Sequence, residues 1–116
     1  MPIIRVNGFS QEDLDQWKKR LRIALKKAAA GVEELGITQD DVEPLFPIEQ
    51  KPSAPEIIVE VLELWEKPER TKEVQDKLAN ALATAVLAHS PAQKVCCFVD
   101  KLFDQQRQGF AMKSRE

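Results

Sequence analysis

The chain of 116 residues has few of the residue types on which metal sites and disulfide frameworks depend. It contains one histidine and two cysteines, and the cysteines are neighbours at positions 96 and 97. Adjacent residues of a strand point to opposite faces, so Cys96 and Cys97 make a poor disulfide or metal pair. The spacing typical of zinc ligands is also missing. We therefore expect no bound metal, and reduced thiols in a cytoplasmic protein.

Signatures of cofactor binding and of hydrolytic chemistry are absent as well. The four glycines form no glycine-rich phosphate loop. His89, the only histidine, belongs to no Ser/His/Asp pattern. The sequence therefore predicts no cofactor.

Long hydrophobic runs and a strong net charge are also missing. The longest apolar stretches are far too short to span a bilayer. Arg5 and the polar residues that follow Val6 argue against a secretory signal at the start of the chain. The net charge is −2, which argues against a general nucleic-acid binder. We expect one domain over residues 1–116, with neither a nucleic acid nor a membrane as partner.

The first half of the chain has the pattern of a strand, a helix and a second strand. Residues 2–6 (PIIRV) form a β-branched run, and Ser10 supplies an N-cap for the helix that follows. Gly36 is expected to end this helix. The extended segment 42–51 (VEPLFPIEQK) contains two prolines, so we expect it to be short, bulged or at a sheet edge. Apolar residues recur at helical spacing in one stripe: Leu14, Trp17, Leu21, Leu25, Ala28 and Val32.

The second half repeats this order. Residues 57–65 form the strongest strand, and both of its faces are mostly apolar, so it is expected to be buried on both sides. Pro68 is expected to begin the second helix and Ser90-Pro91 to end it. Residues 95–99 (VCCFV) form the fourth strand. One face of the 57–65 strand carries Ile57, Val59, Val61 and Trp65, and the other carries Ile58, Glu60, Leu62 and Leu64.

The order β-α-β-β-α-β predicts an α+β fold. A helix that bridges two strands suits a parallel pair, so the two helices are expected to cover one face of a four-stranded sheet. The other face carries Ile58, Leu62 and Leu64 with no third helix to cover them. We therefore expect a homo-oligomer, because other copies of the chain would remove this surface from water. The polar tail from about residue 104 is expected to be frayed or docked, with a neighbouring subunit as one candidate.

Three features together resemble the tautomerase superfamily, which includes oxalocrotonate tautomerase, carboxymethyl-hydroxymuconate isomerase and macrophage migration inhibitory factor. They are PIIRV directly after Met1, LGITQDDV at residues 35–42, and the doubled strand–helix–strand order. The second half looks most like an uncharacterised bacterial branch. The resemblance implies a homotrimer with active sites near subunit borders. It also implies that Met1 is removed and that the secondary amine of Pro2 acts as a general base, or as an acid, in keto–enol tautomerisation.

The chemistry of Pro2 can also be argued from the residue itself. A free α-amino group titrates near 8 in model peptides, and burial or nearby cations lower that pKa. The neutral amine can then remove a proton next to a carbonyl, and the rigid ring holds the nitrogen in place. If Met1 is retained, the nitrogen is an amide and cannot act in this way. The alternative is a proline that only begins a strand.

Three further side chains are candidates for substrate contacts. Arg70 opens a stretch (Arg-Thr-Lys-Glu) that resembles the Arg-Ser-x-Glu stretch at the same strand-to-helix turn of superfamily enzymes, which implies a carboxylate-binding role; the alternative is an exposed arginine. Glu60 stands on an otherwise apolar strand face, either as a second acid–base group or, as we favour, in an ion pair across a subunit border. Lys51 is a weaker carboxylate-binding candidate, with a solvated lysine as the alternative.

Two departures from the superfamily pattern restrict the substrate. Glu43 stands where superfamily enzymes often carry a second arginine, and the first strand-to-helix turn offers Ser10, Gln11 and Glu12. A dianionic substrate is therefore not favoured. We expect a tautomerase or isomerase that acts on a small keto–enol carboxylate. The alternatives are a dehalogenase or decarboxylase with Pro2 as acid, and a non-catalytic trimer that binds a ligand or a protein partner.

Overall fold

The computed structural model describes residues 2–48 and 52–100, together with residues 102, 104, 109, 111, 113 and 115. Met1, Lys51 and most of the tail lie outside the described residues, so the expectations for them stay untested. Two short 3₁₀ turns, Glu33–Leu35 and Gln39–Asp41, precede the second strand. The strands and helices are β1 (Ile3–Asn7), α1 (Gln11–Ala30), β2 (Glu43–Leu45), β3 (Ile57–Leu62), α2 (Lys72–Ala88) and β4 (Val95–Val99).

The four strands form one sheet in the order β2-β1-β3-β4. The β1–β2 and β3–β4 pairs are parallel, and the central β1–β3 pair is antiparallel, with Arg5 opposite Glu60. Each helix bridges a parallel pair, as a crossover connection requires. The predicted α+β fold is therefore confirmed. β2 is a three-residue strand at the edge of the sheet. The Glu43 amide donates towards β1, so the nitrogen of the next residue, Pro44, points away from the ladder and needs no hydrogen.

Both helices pack on the same face of the sheet. On β1 and β3 the residues facing the helices alternate with half-buried ones on the opposite side. Burial of a leucine or valine side chain contributes about 1.5–3 kcal/mol, so this shared layer is the main source of stability. The core includes Ile4, Val6, Val59 and Val61 from the sheet, Leu14, Leu21 and Leu25 from α1, and Val74, Leu78, Leu82 and Val86 from α2.

Local caps determine where the helices begin and end. The hydroxyl of Ser10 accepts a hydrogen bond from the Asp13 amide (3.2 Å), which confirms the predicted N-cap of α1. The prediction for its end was wrong: α1 stops at Ala30, and Gly36, with a φ of 64°, ends the following 3₁₀ turn instead. The start of α2 at Pro68 was also wrong. The hydroxyl of Thr71 caps α2 by accepting from the Val74 amide (3.3 Å), so the helix begins at Lys72.

The end of β3 differs from the predicted strand in a way that matters for the core. Glu63 has a φ of 58°, in the left-handed region that non-glycine residues rarely occupy. This conformation breaks the alternation of the strand after Leu62. Leu64 is consequently 2% exposed in the core on the helix side, whereas strand periodicity placed it on the opposite face with Ile58.

The sheet face away from the helices is covered by no helix or strand among the described residues. Ile3, Ile58 and Leu62 are half-buried on it, and the two edge-strand residues Leu45 and Phe98 are 42% and 54% exposed. The predicted apolar outer face is therefore present in the chain. In the described part of the sequence, neither helix combines the length and hydrophobicity that a membrane span needs.

We expect Leu82→Ala to lower the free energy of unfolding by about 2–5 kcal/mol, because Leu82 is fully buried between α2 and the sheet and its truncation leaves a cavity. Leu87→Ala is the matched control on the same helix, since Leu87 is 47% exposed, and its effect should stay within about 0.5 kcal/mol. Urea denaturation measures both. Equal effects of the two substitutions would contradict the assigned core.

Candidate active site

A cavity of about 340 Å³ lies where the chain enters the sheet. Three separate parts of the sequence meet there: the residue before β1, the connection from α1 to β2, and the connection from β3 to α2. The sheet topology brings them together, because β1 pairs with β2 on one side and with β3 on the other. The cavity is lined by Pro2, Gly36, Ile37, Asp41, Trp65, Lys67 and Arg70.

Pro2 is buried, and its position follows from strand pairing. Its carbonyl oxygen accepts a hydrogen bond from the Glu43 amide (3.1 Å), directly before the first ladder pair of Ile3 with Glu43. The ring therefore has little freedom to leave the cavity wall. Pro2 and Arg70, two of the four predicted site residues, border the same cavity.

The side chain of Arg70 is buried, with the residue only 6% exposed, so the alternative of an exposed arginine was wrong. Its Nη1 donates to the Trp65 carbonyl (2.6 Å) and its Nη2 to the Leu35 carbonyl (3.0 Å). Its Nε is buried and finds no partner among the described residues. Burial is the main cause that lowers the pKa of this guanidinium, and Glu69 opposes the shift. Arg70 thus joins the two connections that line the cavity.

Asp41 adds a carboxylate to the cavity wall, and sequence reasoning missed it. The carboxylate accepts hydrogen bonds from the amide (2.8 Å) and the hydroxyl (3.2 Å) of Thr38. These bonds lower the pKa of Asp41, the amide bond contributing most, so the group is ionised at neutral pH. The pattern Thr-x-x-Asp within LGITQDDV is a capping-box signal that locates this turn, although it gives no reason to place the turn beside Pro2.

The remaining lining residues give the cavity an apolar side and a cationic rim. Trp65 and Ile37 are half-buried, and Lys67 is exposed. Lys67 takes part in none of the ion pairs that the described residues form. Sequence reasoning missed Lys67 because a lysine in a charged connection is ordinarily solvated.

Of the other two predicted site residues, Glu60 is not among the residues that line this cavity, and Lys51 cannot be compared because it is not described. Glu60 lies on the outer face of the sheet, where its carboxylate accepts a hydrogen bond from the Asn7 amide group (2.9 Å) and lies 3.9 Å from the Arg5 guanidinium. We favoured an ion pair across a subunit border, but the ion-pair partner of Glu60 in the structure, Arg5, belongs to the same chain. Lys51 lies outside the described residues.

The thiols and the histidine offer no second catalytic cluster. Cys97 faces the helices from β4, and burial raises the pKa of its thiol to about 12. His89 follows α2 and contacts the Arg20 guanidinium through Nδ1 (3.3 Å). Within the described residues, no three side chains of His, Cys, Asp or Glu come together as a metal site.

Comparison with solved structures identifies the fold. No protein-family model and no curated protein matches the chain. The "Q0 fused 4-OT wild type symmetric trimer" is similar with a TM-score of 0.68 and 21% identity, over 94% of this chain and 91% of that one. A member of the cis-3-chloroacrylic acid dehalogenase family gives 0.67 and 11%, over 84% and 72%. Macrophage migration inhibitory factor of Toxoplasma gondii gives 0.60 and 18%, over 98% and 96%. The chain has the fold of the tautomerase superfamily, as the resemblance implied.

The raised pKa of Cys97 predicts a thiol that alkylates slowly at neutral pH, because only the thiolate reacts. In a Cys96→Ser variant, the iodoacetamide rate should rise by about tenfold per pH unit from pH 8 to 10 without a plateau. Mass spectrometry of the labelled protein gives the rate, and Cys97→Ser serves as the control. A plateau near pH 9 would show an ordinary, accessible thiol and contradict the burial of Cys97.

Proposed function

We propose that this chain is a tautomerase or isomerase that acts on a small keto–enol carboxylate, with Pro2 as the general base. The observation that carries the proposal is the burial of Pro2 in one cavity with a carboxylate and two cationic residues. The proposal includes removal of Met1, because only then is the Pro2 nitrogen a secondary amine. It also includes assembly as a homotrimer.

The charges around Pro2 support an amine that exchanges protons near neutral pH. An α-amino group has an ordinary pKa of about 8. The apolar wall and the cations of Lys67 and Arg70 favour the neutral amine, whereas the ionised Asp41 favours the charged form. From keto to enol, the neutral amine takes a proton from the carbon next to the substrate carbonyl; in the reverse direction, ketonisation, it takes the proton of the enol hydroxyl. The resulting ammonium returns a proton to the other end of the conjugated system, so the amine is regenerated.

The cavity wall supports a small, flat monocarboxylate as substrate. The cavity, with a volume of about 340 Å³, accommodates a small organic acid. The Trp65 indole and Ile37 supply an apolar surface against which a conjugated system can pack. The positive charges of Lys67 and Arg70 attract one carboxylate. The negative charge of Asp41 beside Pro2 disfavours a second carboxylate at the reacting end.

The outer sheet face supports the homotrimer. It combines half-buried and exposed apolar residues, of which Phe98 at 54% and Leu45 at 42% are the most exposed. Burial of such a face against other copies removes apolar area from water. Two similar structures, the Q0 and F6 fused 4-OT proteins, are trimers by name, at 21% and 15% identity.

A second candidate uses the same proline as an acid. Asp41 is ionised and lines the Pro2 cavity, which favours a protonated amine that can donate its proton. Similar structures include the dehalogenase-family protein and FG41 malonate semialdehyde decarboxylase, the latter inhibited by 3-bromopropiolate. If Pro2 acts as an acid, kcat/KM falls as the pH rises through the pKa of its amine, which is the opposite of the profile expected for the base.

Replacement of the base gives the direct kinetic test. We expect Pro2→Ala to lower kcat/KM for ketonisation of phenylenolpyruvate by at least about a hundredfold, because general-base catalysis contributes that much and the alanine amine is not held in the rigid ring. Pro91→Ala, an exposed proline outside this cavity, is the matched control and should keep the rate. Equal rates in Pro2→Ala and the unaltered protein would reject the base assignment.

The effect of Asp41 on Pro2 predicts a shift of the pH profile. For a base, kcat/KM rises with pH through the pKa of the Pro2 amine. Asp41→Asn removes a nearby negative charge, lowers that pKa, and should move the midpoint to lower pH by about one unit. Asp76→Asn on α2, where Asp76 pairs with Lys72, is the control and should leave the midpoint unchanged. An unmoved midpoint in Asp41→Asn would show that its carboxylate does not act on Pro2.

A further inference from the structure

We infer that the two cations of the cavity have different tasks: Arg70 holds the two cavity walls together, and Lys67 contacts the substrate carboxylate. This inference rests on the proposed function for the identity of the substrate. It differs from the role that the sequence resemblance implied for Arg70, and it assigns a specificity-determining role to Lys67.

The hydrogen bonds and the burial of Arg70 support its role between the two cavity walls. An arginine binds a carboxylate through two parallel N–H groups of its planar fork. In this chain both tips of the fork already donate to backbone carbonyls, Nη1 to Trp65 and Nη2 to Leu35. Each of these nitrogens keeps a second N–H, and the Nε–H has no partner among the described residues, so the hydrogen bonds alone do not occupy the fork. Burial is the stronger restriction, because Arg70 is only 6% exposed and presents little of its side chain to an incoming anion.

The two carbonyls belong to opposite walls of the cavity. Leu35 directly precedes Gly36 and Ile37, which line the cavity from the α1–β2 connection. Trp65 lines it from the β3–α2 connection. Arg70 therefore fixes the distance between the apolar side chains of Ile37 and Trp65. A further hydrogen bond, from the Arg70 amide to the Lys67 carbonyl (2.9 Å), gives the β3–α2 connection a turn that presents Lys67 at the rim.

Lys67 has the properties that Arg70 lacks. Its side chain is exposed at the cavity rim, and its ammonium is in no ion pair with any other described residue. An ammonium carries three donors on a flexible stem, so it can follow a carboxylate at the mouth of the cavity. With Asp41 on the cavity wall, a substrate that directs its carboxylate to Lys67 can direct its uncharged, reacting end to Pro2.

The test of Lys67 is a split between kcat and KM. Lys67→Met should raise KM for phenylenolpyruvate about tenfold or more and leave kcat within about twofold, because a charge-assisted hydrogen bond is lost in the ground state and the transition state alike. For the methyl ester of the same enol, KM should change less than twofold. Lys94→Met, at the opposite end of the sheet, is the control. An unchanged KM for the acid in Lys67→Met overturns the assignment.

The test of Arg70 compares a conservative with a neutral substitution. Lysine replaces the two terminal nitrogens of the guanidinium with a single one, and methionine has no donor, so Arg70→Lys and Arg70→Met should both lower kcat at least about tenfold, with KM changed less than threefold. A carboxylate anchor would behave otherwise: Arg70→Met would raise KM strongly, and Arg70→Lys would restore much of the binding. That second pattern would overturn the assignment of Arg70 as the residue that holds the two cavity walls together. Lys67→Met remains decisive if either Arg70 variant fails to fold, since Lys67 is exposed.

Binding measured without turnover separates this inference from the proposed function. The probe is cinnamate, a flat carboxylate that cannot tautomerise, titrated by NMR into the Pro2→Ala variant. We expect binding that Lys67→Met weakens about tenfold in the same background. If the unaltered protein shows no tautomerase activity while cinnamate binding still depends on Lys67, the proposed base is rejected and the contact between Lys67 and the carboxylate is kept. If Lys67→Met leaves the affinity for cinnamate unchanged, or if cinnamate does not bind at all, the assignment of Lys67 as the carboxylate contact is overturned.

Discussion

The backbone hydrogen bond from Glu43 to the Pro2 carbonyl is the constraint on which the site depends. It lies at the start of the parallel β1–β2 pairing and so fixes the first described residue against the wall of the cavity. The same pairing brings the α1–β2 connection beside Pro2, and the antiparallel β1–β3 pairing brings the β3–α2 connection to its other side. The helices contribute indirectly, because their shared core keeps the sheet in this arrangement.

The electrostatics of the cavity follow from three side chains with different degrees of exposure. Asp41 is held ionised by Thr38, Arg70 is buried and satisfied in part by carbonyls, and Lys67 is exposed and unpaired among the described residues. Arg70 forms no ion pair with another described residue, and burial of an unpaired guanidinium is costly, so its hydrogen bonds to Trp65 and Leu35 are needed to retain it. The exposed lysine carries no such cost, which leaves it available to a ligand.

Local patterns predicted most of the fold. The run VCCFV at residues 95–99 became β4 with the same bounds, and the two strand–helix–strand halves gave two parallel pairs. Short-range patterns failed where a single residue departs from its usual conformation. The left-handed Glu63 turned Leu64 into the core, and no sequence signal marks a glutamate for that conformation.

The candidate site was only half accessible to sequence reasoning. Pro2 and Arg70 were found through resemblance, yet the burial of Arg70 could not be anticipated among charged neighbours such as Glu69 and Lys72. Asp41 and Lys67 come from connections that are distant in sequence and meet only through the strand order. Their contribution depends on tertiary placement, which no periodicity encodes.

The proposed chemistry depends most on the chemical state of the Pro2 nitrogen. The intact mass of the protein purified from its own cells tests that state directly. We predict the mass of a chain that begins at Pro2, with a free secondary amine in the cavity. A mass that includes Met1 would make this nitrogen an amide and would contradict the proposed chemistry.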